Sequence, residues 1–136
     1  MQPIETIAIA SEHASTPTGN VLPLLHEIKH ALKALAERGT EYSIDLNSLP
    51  LAPQEDDALE RLLGLGEVQA RLTALGVSEI VETAVPGVWR VTHRDSNDNV
   101  VGRFIEVTVC PAILKSQQED LAGGISQLER MIGEQD

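Results

Sequence analysis

The segment His-Glu-Ile-Lys-His at residues 26–30 fits the H-E-x-x-H pattern, in which two imidazoles one helical turn apart bind zinc and the glutamate acts as general base. A zinc hydrolase needs both histidines and the carboxylate to point into a cleft, where a third ligand completes the site. At about 100° per residue, however, the apolar residues of this helix gather on one side and His26 and His30 fall near the opposite side. We therefore expect both imidazoles to face solvent, and a zinc-dependent hydrolase using His26, Glu27 and His30 is the enzymatic alternative.

Cys110 is the only cysteine of the chain, so it can form neither an internal disulfide nor a multi-cysteine metal site within one copy. It precedes Pro111 at the end of an apolar run, where a free thiol usually behaves as a small buried hydrophobe. The alternative is a carrier of an iron–sulfur or other cofactor precursor that uses this thiol, with two copies sharing two thiols. Carboxylates such as Glu82 and Glu106 are too numerous for a pair to indicate acid–base catalysis.

The composition excludes other classes of function. The 136 residues carry a formal charge of −11 and include one Trp, one Tyr and one Phe. A phosphate backbone would be repelled, and three aromatic residues cannot provide a stacking platform for single-stranded nucleic acid. Since no window of about 20 apolar residues occurs, we expect a cytoplasmic protein that binds neither nucleic acid nor membrane.

The first half of the chain predicts two helices and a strand. Apolar residues recur at helical spacing from Asn20, a plausible N-cap, to Gly39. A half-buried strand over residues 41–50 and a shorter helix after Pro53 follow. Residues 1–19 precede these elements as an arm or loop, which is expected to be flexible.

The second half predicts an antiparallel meander. From Glu67 the pattern alternates with a period of two, with turns at Gly76, at residues 86–87 and at the Ser-Asn-Asp-Asn segment 96–99. A C-terminal amphipathic helix follows Pro111, and two adjacent glycines at 123–124 are expected to interrupt it. The fold class is α+β, a single domain over residues 1–136 in which an antiparallel sheet of four or five strands carries the N- and C-terminal helices on one face.

Strand parity divides the sheet into two predicted surfaces. The core side holds Val68, Ala70, Leu72, Val81, Val91, Ile105, Val107 and Val109. The other side holds Glu67, Gln69, Arg71, Glu82, Arg90, Phe104, Glu106, Thr108 and Cys110. This second surface is either a field of cross-strand ion pairs or a docking platform for a partner, and Trp89, which shares the parity of Val91, is expected in the core.

Four segments together resemble a known family. They are "LLHEIKHAL" at 24–32, "LGLGEVQARL" at 63–72, "IVETAVPGVWRV" at 80–91 and "RFIEVTVCPAIL" at 103–114. The combination is similar to the HupH/HyaF-type hydrogenase expression and formation proteins, and the similarity extends over about residues 20–132. Longer members resemble two tandem copies of this domain, whereas the present chain holds one.

The resemblance implies a non-enzymatic role in maturation of uptake nickel–iron hydrogenases, as a chaperone or assembly protein for the precursor of the iron–sulfur small subunit. No catalytic residue, metal or cofactor is implied. Matching motif positions are candidate partner contacts: Gly66, Glu67, Val68, Glu82, Gly87, Trp89, Arg90, Glu106 and Cys110. A single domain copy also implies a homodimer, or pairing with another maturation protein.

Overall fold

The computed structural model describes residues 19–135. The arm expected before residue 19 therefore lies outside the described residues. The helices are α1 (Val21–Arg38), α2 (Pro53–Leu63) and α3 (Gln118–Gln135), and two short 3₁₀ helices lie at Leu46–Ser48 and Ala112–Leu114. The strands are β1 (Tyr42–Asp45), β2 (Gln69–Thr73), β3 (Val77–Glu82), β4 (Val88–Arg94) and β5 (Val100–Val107).

The five strands form one antiparallel sheet in the order β1-β5-β4-β3-β2. Strands β2 to β5 make the predicted meander, because each pairs with the next through a short turn. Strand β1 joins the far edge by pairing with β5, with Ile44 opposite Ile105. The predicted α+β class and antiparallel sheet are confirmed.

Helices α1 and α2 cover one side of the sheet, which we call the helix face. Helix α1 begins after Asn20 and ends at Gly39, whose φ of 71° gives the left-handed C-cap that glycine favours. The main core lies between these helices and the sheet: Leu24, Ile28, Ala31, Ile44, Leu46, Leu59, Leu63, Val88, Ile105 and Val107. Each fully buried Leu, Ile or Val there contributes about 1.5–3 kcal/mol to stability.

Glu55 connects the starts of the two helices. Its buried carboxylate accepts hydrogen bonds from the backbone N–H groups of Ala52 at 3.0 Å and Gly19 at 2.8 Å. The N–H of Asn20 adds a third contact at 3.3 Å. Since the N–H groups at a helix start lack partners within the helix, this carboxylate satisfies both helix ends and places α1 beside α2.

The opposite side of the sheet, the open face, carries a smaller apolar cluster. Ile80, Trp89 and Val91 are buried there and pack against Ala70, Phe104 and Leu114. The predicted division of the strands was therefore partly wrong, because Val91, Ala70 and Leu72 share the open face while Val81, Ile105 and Val107 share the helix face. Both faces of the sheet bury apolar side chains, so the sheet does not have one apolar face and one polar face.

Helix α3 differs from the prediction in two respects. It is continuous over Gln118–Gln135, so Gly123 and Gly124 do not interrupt it. All of its residues are exposed, so it does not pack on the sheet within residues 19–135. The N-terminal helix thus covers the sheet as expected, and the C-terminal helix does not.

Candidate interaction site

Three loops meet at one end of the sheet, and they contain most of the predicted partner contacts. We call this the three-loop end: residues 64–68 between α2 and β2, residues 83–87 between β3 and β4, and residues 108–111 after β5. The first two loops are joined through the backbone, since Gly66 N–H donates to Glu82 O at 2.7 Å and Ala84 N–H donates to Leu63 O at 2.8 Å. Glu82 N–H donates to Val68 O at 2.9 Å and extends the ladder.

Gly66 lies at the closest approach of the first two loops. A Cβ placed there would meet the carbonyl oxygen of Thr83 at 2.5 Å and the carboxylate of Glu82 at 2.7 Å. That carboxylate also accepts a hydrogen bond from Glu67 N–H at 3.0 Å. A residue without a side chain is therefore required at position 66 for the loops to pair.

Thr83 holds the second loop from inside. Its side chain is buried, donates to Val88 O at 2.7 Å and accepts from Val85 N–H at 3.1 Å. Gly87 completes the turn with a φ of 88°, and a Cβ there would meet Leu32 of α1 at 2.9 Å. Gly87 therefore has a structural role, in a left-handed turn that packs against α1.

Thr108 fixes the third loop to the second. Its N–H donates to Gly87 O at 2.9 Å, and its carbonyl accepts from the indole Nε1–H of Trp89 at 3.1 Å. Its hydroxyl donates to the Glu41 carboxylate and accepts from Cys110 N–H at 3.3 Å. Three loops distant in sequence thus form one hydrogen-bonded frame.

The structure brings the predicted contacts together only in part. One group in this frame contains Gly66, Glu67, Val68 and Glu82. A second, neighbouring group contains Gly87, Trp89 and Cys110. Trp89 is buried, with 6% of its surface exposed, in agreement with the prediction that it lies in the core. Cys110 is half-buried, so it is less enclosed than a core residue.

Arg90 was assigned to the wrong surface. It pairs with Ile105 and Val81, which places it on the helix face, and its guanidinium lies 3.4 Å from Glu60 of α2. Its Nε atom is buried and has no hydrogen-bond partner among residues 19–135. The parity prediction failed here because Trp89, and not Arg90, occupies the open-face position.

Gln69 and Arg71 were misplaced in the same way. They pair with Val81 and Glu79 and therefore lie on the helix face. That part of the helix face contains a cleft of about 340 Å³ beside α2, lined by Arg90, Arg94 and Arg103. Since each of these arginines has a carboxylate within 4 Å, the cleft has mixed charge and no net basic character.

Glu106 lies on the open face, opposite Trp89 on one neighbouring strand and Ser43 on the other. Its half-buried position raises the pKa of its carboxyl group by desolvation, and the nearby Glu41 charge raises it further, whereas His93 lowers it. This is the behaviour of a carboxylate in a partly dry environment. It does not by itself indicate catalysis.

Sequence reasoning missed two side chains that the three-loop end presents to solvent, those of Leu65 and Val109. Leu65 is 62% exposed and lines a shallow pocket with the exposed Ala84 and Pro86. Val109, which was expected on the core side, is 80% exposed in the third loop, and the predicted contact Val68 is 43% exposed. The signal available in the sequence was the position of Leu65 and Val109 between motif residues. Exposed apolar side chains on an ordered frame are typical of a protein interaction surface.

The histidine pair lies on the solvent side of α1, as expected. His26 and His30 are both exposed, and the Glu27 carboxylate accepts a hydrogen bond from the Tyr42 hydroxyl at 2.6 Å. Within residues 19–135, no group of three or more His, Cys, Asp or Glu side chains is arranged to hold a metal ion. No helix of this described region is sufficiently long and apolar to cross a bilayer.

With this geometry established, comparison with known proteins identifies the family. The family model described as HupH hydrogenase expression protein, C-terminal conserved region, matches residues 18–134. The chain belongs to this family. The resemblance inferred from the four sequence segments is therefore confirmed.

Named relatives agree with this assignment. The hydrogenase expression/formation protein HoxQ of Azotobacter vinelandii is 32% identical over 114 residues, which cover 82% of this chain and 40% of the relative. The hydrogenase-1 operon protein HyaF of Escherichia coli (strain K12) is 29% identical over 113 residues, covering 82% and 39%. This chain thus spans about 40% of the length of these curated relatives.

A solved structure shares the fold. The hydrogenase expression protein HupH from Thiobacillus denitrificans ATCC 25259 superposes with a TM-score of 0.83 at 41% identity, covering 86% of this chain and 98% of that chain. A likeness of this extent and identity supports a shared arrangement of helices and sheet over nearly the whole described domain.

Proposed function

We propose that this HupH-family chain is a non-enzymatic accessory protein in the maturation of nickel–iron uptake hydrogenases. In this proposal it acts in the cytoplasm and binds the precursor of the iron–sulfur small subunit. The names of its relatives support a role in hydrogenase formation. The observation that carries the binding role is the three-loop end, where exposed apolar side chains stand on a hydrogen-bonded frame.

The frame favours binding because it reduces the cost of ordering an interface. Loops that are free in solution lose conformational entropy when a partner fixes them. Here Gly66, Thr83 and Thr108 already hold the loops through backbone and buried side-chain hydrogen bonds. Leu65 and Val109 can therefore contact a client with little rearrangement.

The charge of the chain bears on the kind of client segment that fits. With a formal charge of −11, the protein attracts basic polypeptide and repels acidic polypeptide. Glu67 is exposed at the three-loop end, next to the apolar residues. The proposed client segment is therefore apolar and flanked by basic residues.

Two matched double variants test this surface. The change Leu65→Ser with Val109→Ser removes two exposed apolar side chains from the three-loop end. The control, Leu75→Ser with Val101→Ser, removes two from the opposite end of the sheet, where Leu75 is 97% and Val101 60% exposed. All four positions are exposed, so both variants should fold.

Purified chain is immobilised and titrated with small-subunit precursor. The three-loop variant should bind about tenfold more weakly, which corresponds to about 1.4 kcal/mol, a typical loss at an interface centre. The control variant should bind like the parent. Equal binding by the parent and the three-loop variant would show that the client contacts another surface, and no binding by the parent would remove the proposed client.

A further inference from the structure

Helix α3 exposes an apolar stripe along its length. Leu121, Ile125, Leu128 and Ile132 are each between 49% and 63% exposed, and Met131 beside them is 46% exposed. Three glycines, at 123, 124 and 133, lower the intrinsic helix propensity of the same segment. Packing on the apolar stripe should stabilise this 18-residue helix, because most helical stability in proteins comes from packing of an amphipathic face and not from intrinsic propensity.

The spacing of the stripe favours another helix as its partner. Its residues recur at intervals of four, three and four, which are the a and d positions of a heptad repeat. Ile125 and Ile132 occupy a positions, and Leu121 and Leu128 occupy d positions. A β-branched residue at a with Leu at d favours a parallel pair of helices, so the stripe of one copy is complementary to the same stripe of a second copy.

The residues that flank the stripe agree with this pairing. The positions next to it in the first turns are Ala122 and Gly124, which allow two helices to approach closely. Glu129 is the only charged residue at a flanking position, and a parallel pair sets it beside Gly124 of the other copy, so no like charges oppose each other. The remaining charges of the helix lie on its outer side: Glu119, Asp120, Arg130 and Glu134.

We infer that two copies of this chain associate through α3, as a parallel helix pair whose seam is Leu121, Ile125, Leu128 and Ile132. This contact does not depend on the proposed function, and it uses residues separate from the three-loop end. It covers the apolar stripe and supplies the packing that the glycine-containing helix needs.

Sedimentation equilibrium across the micromolar range tests the association. The parent should have twice the 14.7 kDa mass of one chain. Ile125→Glu with Leu128→Glu places two charges in the seam and should give the mass of a single chain. Ser126→Glu with Gln127→Glu adds the same two charges on the outer side and should leave the dimer intact.

The fluorescence of the single Trp89, which is buried in the sheet domain, reports whether each variant retains its fold. A seam variant that remains dimeric would overturn the inference. A parent that is monomeric throughout the concentration range would also overturn it, whether α3 then contacts its own domain or a different protein.

Cysteine cross-linking tests the parallel register. In a Cys110→Ser background, Leu128→Cys should form a disulfide-linked dimer on mild oxidation, because d positions face each other across a parallel seam. Arg130→Cys, on the outer side of the helix, should remain uncross-linked. A dimer in which position 130 links and position 128 does not would refute this arrangement.

Discussion

Replacing Gly66 with Ala should loosen the frame of the three-loop end. The backbone at this position does not have a positive φ, so Ala can adopt it without strain. The added Cβ would meet Thr83 O at 2.5 Å, a separation that real Cβ contacts do not show. The neighbour is backbone and cannot rotate away, so residues 64–68 must move from the second loop.

The cost can be estimated from what this movement disrupts. Overpacking alone costs about 1–3 kcal/mol. The displacement also lengthens the hydrogen bond from Gly66 N–H to Glu82 O and that from Glu67 N–H to the Glu82 carboxylate. Each such bond contributes about 1 kcal/mol net when intact, so partial loss of both adds about 1 kcal/mol, and Gly66→Ala should lower the free energy of unfolding by about 2–4 kcal/mol.

Urea denaturation followed by Trp89 fluorescence measures this change, because the only Trp is buried in the sheet. Gly123→Ala is the matched control, since a Cβ at that position, on the outer side of α3, meets nothing within 4 Å. The control should unfold at the parent's urea concentration or above it. If Gly66→Ala also unfolds within about 0.5 kcal/mol of the parent, the loops can separate freely and do not form a rigid frame.

Two further changes test individual side chains. The pKa of Glu106 is raised mainly by burial, so its ionised form destabilises the fold as pH rises through that pKa. Glu106→Gln should therefore increase thermal stability at neutral pH and lose this advantage below the ordinary carboxyl pKa, and a benefit that persists at acid pH would contradict this. Arg90→Met removes a buried Nε that has no partner in the described part of the chain, and an ion pair with the exposed Glu60. The free energy of unfolding should therefore stay within about 1 kcal/mol of the parent or rise. A loss above about 2 kcal/mol in urea denaturation would show that the guanidinium anchors α2.

Local patterns were sufficient to predict most of the elements. The apolar residues from Val21 to Leu35 repeat at helical spacing, and Gly39 ends the helix because it adopts a left-handed φ. The turns of the meander also depend on short segments, such as the one in which Asp95 accepts hydrogen bonds from Asn97 and Asn99 N–H. Such features depend on neighbours in sequence, which a single sequence displays directly.

The assignment of strand faces failed where this local signal disappears. In β4, Val88, Trp89 and Val91 are all buried, because α1 and α2 cover one face and an apolar cluster covers the other. A strand buried on both faces loses the alternation from which parity is read. Arg90 was therefore taken for an open-face residue, and only the pairing with Ile105 corrects it.

The three-loop end could not be derived from local pattern, since its contacts join residues that are far apart in sequence. Gly66 meets Thr83, and Trp89 donates to Thr108, through backbone atoms that leave no trace in residue type at the partner position. The family motif marked these positions without indicating their purpose. In the structure Gly66 and Gly87 lie where the backbone closely approaches neighbouring residues, and the buried Trp89 joins the second loop to the third.

This arrangement separates the residues that build the frame from those that contact solvent. Frame hydrogen bonds use backbone groups and the side chains of Thr83, Thr108, Trp89 and Glu82, whereas Leu65 and Val109 contribute none of their side-chain atoms to these bonds. Substitutions at Leu65 and Val109 can therefore change the chemistry of the surface at small cost in stability. We therefore expect the residues at positions 65 and 109 to determine which client is bound. The residues of the family motif serve mainly to build the frame.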